Sequence, residues 1–130
     1  MNHYVTDPHA LYWYFINSPQ LGARASAAFD EADQGRAIIY IPAIVIAELY
    51  YLNKKYGFRL DLSPVITELR QRTQFELLPF FAEDVLDFDA NAAVPEMHDR
   101  MIVGDALRHN APCLTRDGQI VKSGLVPIVW

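Results

Sequence analysis

The chain has 130 residues, of which 52% are hydrophobic and 21% are charged, which fits one globular domain over residues 1–130 and excludes a disordered or fibrous protein. Its formal net charge of −5 argues against a general nucleic-acid binder, because such proteins carry a basic face that displaces counterions from phosphates. The charge does not exclude a nuclease, in which clustered carboxylates bind divalent cations and lower the net charge.

The sequence also lacks the marks of a membrane or disulfide-bonded protein. No apolar run approaches the roughly 20 residues needed to span a bilayer, and residues 1–7 do not form a basic and then apolar signal segment. We therefore expect a cytoplasmic protein without membrane contact. The single cysteine, Cys113, excludes an internal disulfide, and its apolar surroundings predict a small buried side chain rather than a nucleophile.

The first predicted element ends in an acidic residue. Residues 3–6 are aromatic and β-branched, which predicts a strand, and Asp7-Pro8 ends it because proline cannot donate to a sheet. One interpretation places Asp7 at the N-cap of a helix that begins with Pro8. The other places Asp7 at the carboxyl end of a strand, where α/β sheets bind their ligands. The two interpretations are compatible, and we favour a functional role.

A second candidate acid lies in an apolar helix. Residues 37–41 predict a strand buried in a parallel sheet, and Pro42 begins a helix over residues 43–52 in which Glu48 is the single charged residue. Such a charge is costly unless it is paired or metal-bound. Glu48 can alternatively face solvent or pair with a core arginine, but a solvent face normally carries more polar residues, so we favour a functional role.

Other elements carry no candidate chemistry. Serine-proline pairs predict helix starts at residues 18 and 63, with ends near residues 33 and 73, and residues 75–79 predict a strand. Residues 82–93 predict an acidic helix whose Val85, Leu86 and Phe88 face inward. Residues 118–121 predict a helical turn. Residues 126–130 predict a final strand, and Pro127 marks it as an edge strand.

Residues 98–117 predict a helix followed by a buried strand, with a carboxylate at each end. Asp99 opens the helix, Asn110 to Pro112 stop it, and Asp117 follows the strand. Asp105 lies roughly 240° around the helix from Asp99. We therefore expect Asp105 to lie at the surface or the rim of a site and not to share a ligand with Asp99.

The four acids Asp7, Glu48, Asp99 and Asp117 are predicted to meet at one sheet edge, because parallel strands bring their carboxyl ends together. Carboxylates at close range ionise together when a cation lies between them, and oxygen ligands favour Mg or Mn. The histidines show no zinc-binding spacing, and the chain has neither a glycine-rich phosphate loop nor a serine nucleophile elbow.

Four segments of the chain resemble those of a known family. They are residues 4–11 (YVTDPHAL), residues 41–49 (IPA and AEL), residues 99–102 (DRMI) and residues 114–117 (LTRD). In order and spacing they are similar to the PIN-domain ribonucleases, and within these to the VapC-like toxins of bacterial toxin-antitoxin pairs. The resemblance covers nearly the whole chain.

The resemblance implies an α/β/α sandwich around a mainly parallel sheet of four or five strands. It also implies that Asp7, Glu48, Asp99 and Asp117 bind one or two Mg or Mn ions and catalyse RNA hydrolysis. Thr115 resembles a hydroxyl residue that supports the last acid. The family further implies a homodimer and a separate antitoxin partner.

Two departures from the family pattern bear on metal affinity. The family often has serine or threonine after the first acid, where this chain has Pro8, and a serine shortly before the glutamate, where it has Ala43 and Ile44. Both departures remove hydrogen bonds that can support metal ligands. Arg100 and Arg116 adjoin the proposed ligands and can contact RNA phosphates, although either can instead pair with surface acids.

Two other functions remain as alternatives. A receiver-type signalling domain shares the length and fold class, but it needs an acidic pair near the first strand and a phosphoacceptor aspartate after the third, where this chain has Leu78-Pro79-Phe80. A PIN-like scaffold that binds RNA or protein without cleavage is the second alternative, and the four intact acids argue against it.

Overall fold

Five short segments pair into one sheet in the structure, a computed structural model that describes residues 1–130. All four strand pairs are parallel, and the order across the sheet is β3-β2-β1-β4-β5. The strands are β1 Asn2–Thr6, β2 Ala37–Pro42, β3 Phe75–Leu78, β4 Cys113–Leu114 and β5 Ile128–Val129. The predicted α/β class and parallel sheet of four or five strands are confirmed.

Helices follow the strands and flank the sheet. They are α1 Pro8–Phe15, α2 Ala23–Asp33, α3 Ala43–Lys55, α4 Leu62–Gln71, α5 Met97–Arg108 and α6 Gly118–Ser123, with a 3₁₀ helix at Ala82–Asp87. Helix α1 packs on α3, and α5 packs on β1 and α3. Each parallel connection needs such a crossover, which buries both faces of the central strands.

The sheet register determines which residues meet at its carboxyl edge. Thr6 of β1 pairs with Leu114 of β4, and the Asp7 amide donates to the Leu114 carbonyl at 3.1 Å. Asp7 and Thr115 therefore leave neighbouring strands side by side. On the other side of β1, β2 ends at Pro42 and α3 begins at the next residue. The sheet thus brings β1, β4 and the start of α3 to one edge.

Three local predictions were wrong. Helix α2 begins at Ala23 rather than at the serine-proline pair, because residues 18–22 form turns. The acidic segment is a 3₁₀ helix followed by turns rather than a helix over residues 82–93. Val85 and Leu86 are exposed, Leu86 by 79%, instead of facing inward. A short 3₁₀ helix cannot bury a continuous apolar stripe in the way an α-helix does.

The predictions for the last two elements of the chain agree better with the structure. Residues 118–121 lie in α6 as expected, and β5 is an edge strand, although it is limited to two residues. Cys113 is fully buried in β4 as a free thiol, in agreement with its predicted packing role. No helix of the structure combines the length and apolar character required to cross a bilayer.

Candidate active site

Asp7 lies directly after β1 and is buried. Its Oδ1 accepts a hydrogen bond from the Ala10 amide at 2.7 Å, which caps α1. Its Oδ2 accepts a hydrogen bond from the Thr115 hydroxyl at 2.5 Å. Both sequence interpretations therefore describe the same side chain, which caps α1 and faces β4. Each carboxylate oxygen has a second lone pair that remains available to a cation.

Thr115 connects the first and last candidate acids. It follows β4, is fully buried, and donates to Asp7 while its Oγ1 accepts from the Asp117 amide at 3.0 Å. Asp117 Oδ1 accepts from the Gln119 and Ile120 amides at 3.0 and 3.1 Å and so caps α6. The sequence prediction missed this cap, although aspartate before a helical turn is a recognised signal.

Asp99 occupies the first turn of α5, but it does not open the helix as predicted. The helix begins at Met97, and Glu96 is its N-cap, with Oε2 accepting from the Asp99 amide at 2.9 Å. A capping glutamate is uncommon, which explains why the sequence pointed to the aspartate instead. The half-buried Asp99 carboxylate is not used as a cap and forms none of the side-chain hydrogen bonds or ion pairs in the structure.

Glu48 lies in the second turn of α3 and is half-buried. Its buried Oε1 has no hydrogen-bond partner. The nearest basic atom is Nδ1 of His98, at 3.5 Å, and the same Nδ1 lies 3.5 Å from Glu96 Oε1. The Glu48 side chain is 29% exposed, so it is only partly solvent-facing, and it forms no pair with a core arginine. The sequence analysis missed His98 and Glu96, since neither has a spacing that marks a ligand.

The electrostatics show that these carboxylates share one environment. Burial, followed by the neighbouring charges of Asp117, Glu96, Glu48 and Asp7, raises the pKa of Asp99 to about 7. Burial also raises the pKa of Asp7, against its hydrogen bonds and with a contribution from Asp117. Burial raises the pKa of Glu48, and His98 partly opposes this effect. Mutual repulsion of this kind favours binding of a cation among the acids.

The chemistry of the donor set fits a divalent metal ion of the hard type. All four candidate ligands are carboxylates, one of which has an orphaned buried oxygen and another of which has no protein partner. Oxygen ligands of this kind suit Mg or Mn rather than zinc. No three histidine, cysteine, aspartate or glutamate side chains are drawn together as the ligands of one ion. Metal binding by these residues therefore stays a prediction.

The described cavities are not lined by the four acids. A cavity of about 740 Å³ lies elsewhere, between α1, α2 and the turns that join them, where Trp13, Leu21 and Phe29 contribute to its walls. Small-molecule sites are usually enclosed and largely apolar.

The two predicted phosphate contacts each follow a candidate acid in sequence. The Arg100 Nε donates to the Val94 carbonyl at 2.6 Å, so this side chain is anchored to the loop before α5. Arg116 is exposed, and its guanidinium lies 5.4 Å from the ring centroid of Trp130. Neither arginine forms an ion pair with an acid. Their contact with RNA remains a prediction.

Asp105 is not at the surface as expected. It is only 6% exposed, and its Oδ1 accepts from Arg108 Nη2 at 2.8 Å. Arg108 also contacts Asp87 at 2.7 Å and Asp84 at 3.7 Å, which ties α5 to the 3₁₀ helix. The helical angle was right in turning Asp105 away from Asp99, but the 3₁₀ segment covers that face. Asp105 therefore has a structural role.

Comparisons with known proteins identify the family and the fold. A family model described as PIN domain matches residues 4–123. The structure of VapBC2 from Rickettsia felis bound to a promoter DNA fragment is similar, with a TM-score of 0.68 and 16% identity over 97% of this chain and 96% of that one. FitAcB from Neisseria gonorrhoeae gives a TM-score of 0.62 and 20% identity over 96% of this chain and 95% of that one.

A third structure, the PIN domain endonuclease Utp24, gives a TM-score of 0.54 and 18% identity over 97% of this chain and 82% of that one. No curated protein sequence matches the chain. At these identities the solved structures establish the shared fold.

Proposed function

The chain belongs to the PIN-domain family, and from that membership we propose that it is a metal-dependent endoribonuclease, the toxin of a toxin-antitoxin pair. PIN domains are generally nucleases. The observation that carries the proposal is the placement of Asp7 and Asp117 on either side of Thr115, which hydrogen-bonds both residues. Burial and the charges of Asp117, Glu96, Glu48 and Asp7 raise the pKa of the unpaired Asp99 carboxylate to about 7, which supports the same site.

The four acids would hold one or two Mg or Mn ions. When bound, such an ion lowers the pKa of a water molecule and offsets charge on a phosphodiester. Thr115 fixes the orientations of Asp7 and Asp117 through its two hydrogen bonds. The capping bonds at α1 and α6 hold the same two carboxylates against rotation. The chain therefore supplies two carboxylates held in fixed orientations, Asp7 and Asp117, and two that have fewer hydrogen bonds, Glu48 and Asp99.

The toxin assignment rests on the structural neighbours. VapBC2 and FitAcB are toxin-antitoxin assemblies, and the fold extends over nearly the whole length of each. By analogy we propose a homodimer and a separate antitoxin protein as partners. Arg100 and Arg116 are proposed to contact RNA phosphates on either side of the acids, because both lie next to a candidate ligand in sequence and form no ion pair.

The test of the proposed function is cleavage of RNA by the purified protein. Labelled single-stranded RNA should be cut in the presence of Mg or Mn, should stay intact in EDTA, and should be cut again when the metal is restored in excess. Product lengths on a sequencing gel separate internal cleavage from digestion at the ends. Bound metal without cleavage of any RNA would favour the non-cleaving scaffold instead.

A further inference from the structure

One segment of this acidic chain is basic and aromatic. Between Glu48 and Asp61 there is no acidic residue, although the chain as a whole has a net charge of −5. Residues 50–59, here called the basic-aromatic segment, contain Lys54, Lys55 and Arg59. They cover the end of α3 and the loop that follows. The segment is therefore a local positive region on a negative protein.

The aromatic residues of this segment are displayed to solvent. Tyr51 is 68% exposed and Phe58 is 66% exposed. Tyr56 is anchored by stacking on Tyr12, with ring centroids 5.6 Å apart, and Lys55 Nζ lies 5.4 Å from its ring centroid. Exposed aromatic faces interleaved with cations are the composition of single-stranded nucleic-acid surfaces, because bases stack on the rings and phosphates meet the charges.

Phe58 is displayed at a conformational cost. Its φ is 59°, a left-handed conformation that is strained for a bulky side chain, and it follows Gly57 at φ 85°. Buried Asn53 clamps the loop, because its side chain both donates to and accepts from the Leu60 backbone at 2.9 Å. The Phe58 amide also donates to the Asn53 carbonyl at 2.7 Å. The ring is thus held outward on a rigid loop and gains little burial there.

The segment continues from the active site along one helix face. Tyr51 is three residues after Glu48, so it lies one turn further along α3. Lys55 is seven residues after Glu48, which places it almost directly in line with Glu48 and about 10 Å along the axis. The loop with Phe58 and Arg59 follows. An RNA strand that lies along this face would contact the candidate acids first, and then the aromatic rings and cations of the basic-aromatic segment.

We propose that the basic-aromatic segment binds the single-stranded RNA that flanks the cleaved phosphodiester. Bases stack on Tyr51 and Phe58, and phosphates contact Lys55 and Arg59. The proposal rests on the proposed ribonuclease function and adds its substrate class, since paired RNA keeps its bases stacked and unavailable to side chains. A second copy of the chain or a protein partner on this surface is a competing outcome of the test.

The test separates stacking from folding through Phe58→Gly. Glycine accepts the left-handed conformation, so this variant should unfold at a temperature no lower than the parent while losing the ring. Binding of a fluorescein-labelled 12-residue uridine RNA is measured by anisotropy in EDTA, with full-length Asp99→Asn protein as the common background. Phe58→Gly should weaken binding by about 5-fold or more. Phe81→Gly is the matched control, because Phe81 is 59% exposed and lies directly before the acidic segment.

The cations are tested by their salt dependence. Lys55→Gln and Arg59→Gln should each lower the slope of log affinity against log salt by about 0.7, the value for one phosphate contact on a single strand. Arg36→Gln is the control, because Arg36 is exposed at the amino end of β2, on the opposite edge of the sheet. Duplex RNA of the same length should bind the Asp99→Asn protein with similar affinity whether or not it also carries Phe58→Gly.

Equal RNA binding by the Phe58→Gly and Phe81→Gly variants would overturn the proposal, whether or not the parent cleaves RNA. The proposal would also be overturned if Phe58→Gly changed the protein from dimer to monomer in sedimentation without changing its RNA affinity. That result would assign the surface to contact with a second copy of the chain. Failure of the parent to cleave RNA refutes the proposed function separately, since the binding measurement uses no metal and no cleavage.

Discussion

Replacement of Asp99 with asparagine should lower RNA cleavage by more than about 100-fold, beyond the roughly 10- to 100-fold typical of residues that only support metal ligands. Asparagine keeps the shape of the side chain but removes its charge. The Asp99 carboxylate forms no hydrogen bond or ion pair, and the cap of α5 belongs to Glu96. The substitution should therefore leave the fold intact. Initial rates at saturating Mn are the measurement.

The matched control is Asp89→Asn, which makes the same chemical change at an exposed acid in the turns after the 3₁₀ helix. This variant should cleave RNA at the rate of the parent. Asp105→Asn is not a suitable control, because Asp105 is buried against Arg108. Equal rates for Asp99→Asn and the parent would mean that cleavage comes from a contaminant or from another site.

The same substitution should change how stability depends on pH. The pKa of Asp99 is raised from 3.8 to about 7 in the folded protein. Between these values the folded state holds a proton that the unfolded chain releases, so the free energy of unfolding should fall as pH rises through this range. Urea denaturation in EDTA at pH 5, 6 and 7.5 should show this fall in the parent and a smaller one in Asp99→Asn.

Replacement of Thr115 with valine should lower cleavage by roughly 10- to 100-fold, because the hydroxyl orients two candidate ligands. Valine keeps the branched shape but removes both the donor to Asp7 Oδ2 and the acceptor for the Asp117 amide. The unfolding free energy should fall by about 1 to 3 kcal/mol, since buried polar groups lose their partners. Cleavage rates and urea denaturation measure the two effects.

Thr115→Ser is the control for this prediction, because serine retains the hydroxyl and removes the methyl group. It should recover most of the cleavage activity and keep the Mn concentration needed for half-maximal rate close to that of the parent. A valine variant that is as active as the serine variant would show that the two hydrogen bonds do not orient metal ligands.

The sheet and the positions of Asp7 and Asp117 after its strands could be predicted because they depend on local patterns. Residues 37–41 are apolar without interruption, as a strand buried on both faces requires, and Asp7 and Asp117 follow strands whose ends parallel pairing brings together. The proline after Asp7 marked the end of β1 and the start of α1 correctly. The sequence was sufficient to predict the ends of strands and helices where one residue type, such as proline, has one dominant effect on backbone conformation.

The predictions were wrong where tertiary contacts determine which residue caps a helix and which side chains are buried. Glu96 caps α5 although Asp99 is the better capping residue, and His98 contacts Glu48 through the packing of α3 against α5. Asp105 is buried because Arg108 contacts both Asp105 and the acids of the 3₁₀ helix, and so holds that helix against α5. The raised pKa of Asp99 likewise depends on its burial and on the charges of four other acids. Apart from the i,i+3 spacing of Asp105 and Arg108, none of these contacts has a signature in sequence spacing.

The central claim is that Asp7, Glu48, Asp99 and Asp117 bind a catalytic cation, and the most direct test is diffraction from crystals soaked in Mn. Anomalous difference density should lie among these four carboxylates, within about 2.0 to 2.6 Å of oxygen atoms as expected for hard divalent cations, and should be lost in crystals of Asp99→Asn. Density that avoids the four acids, or that persists unchanged in the variant, would contradict the account.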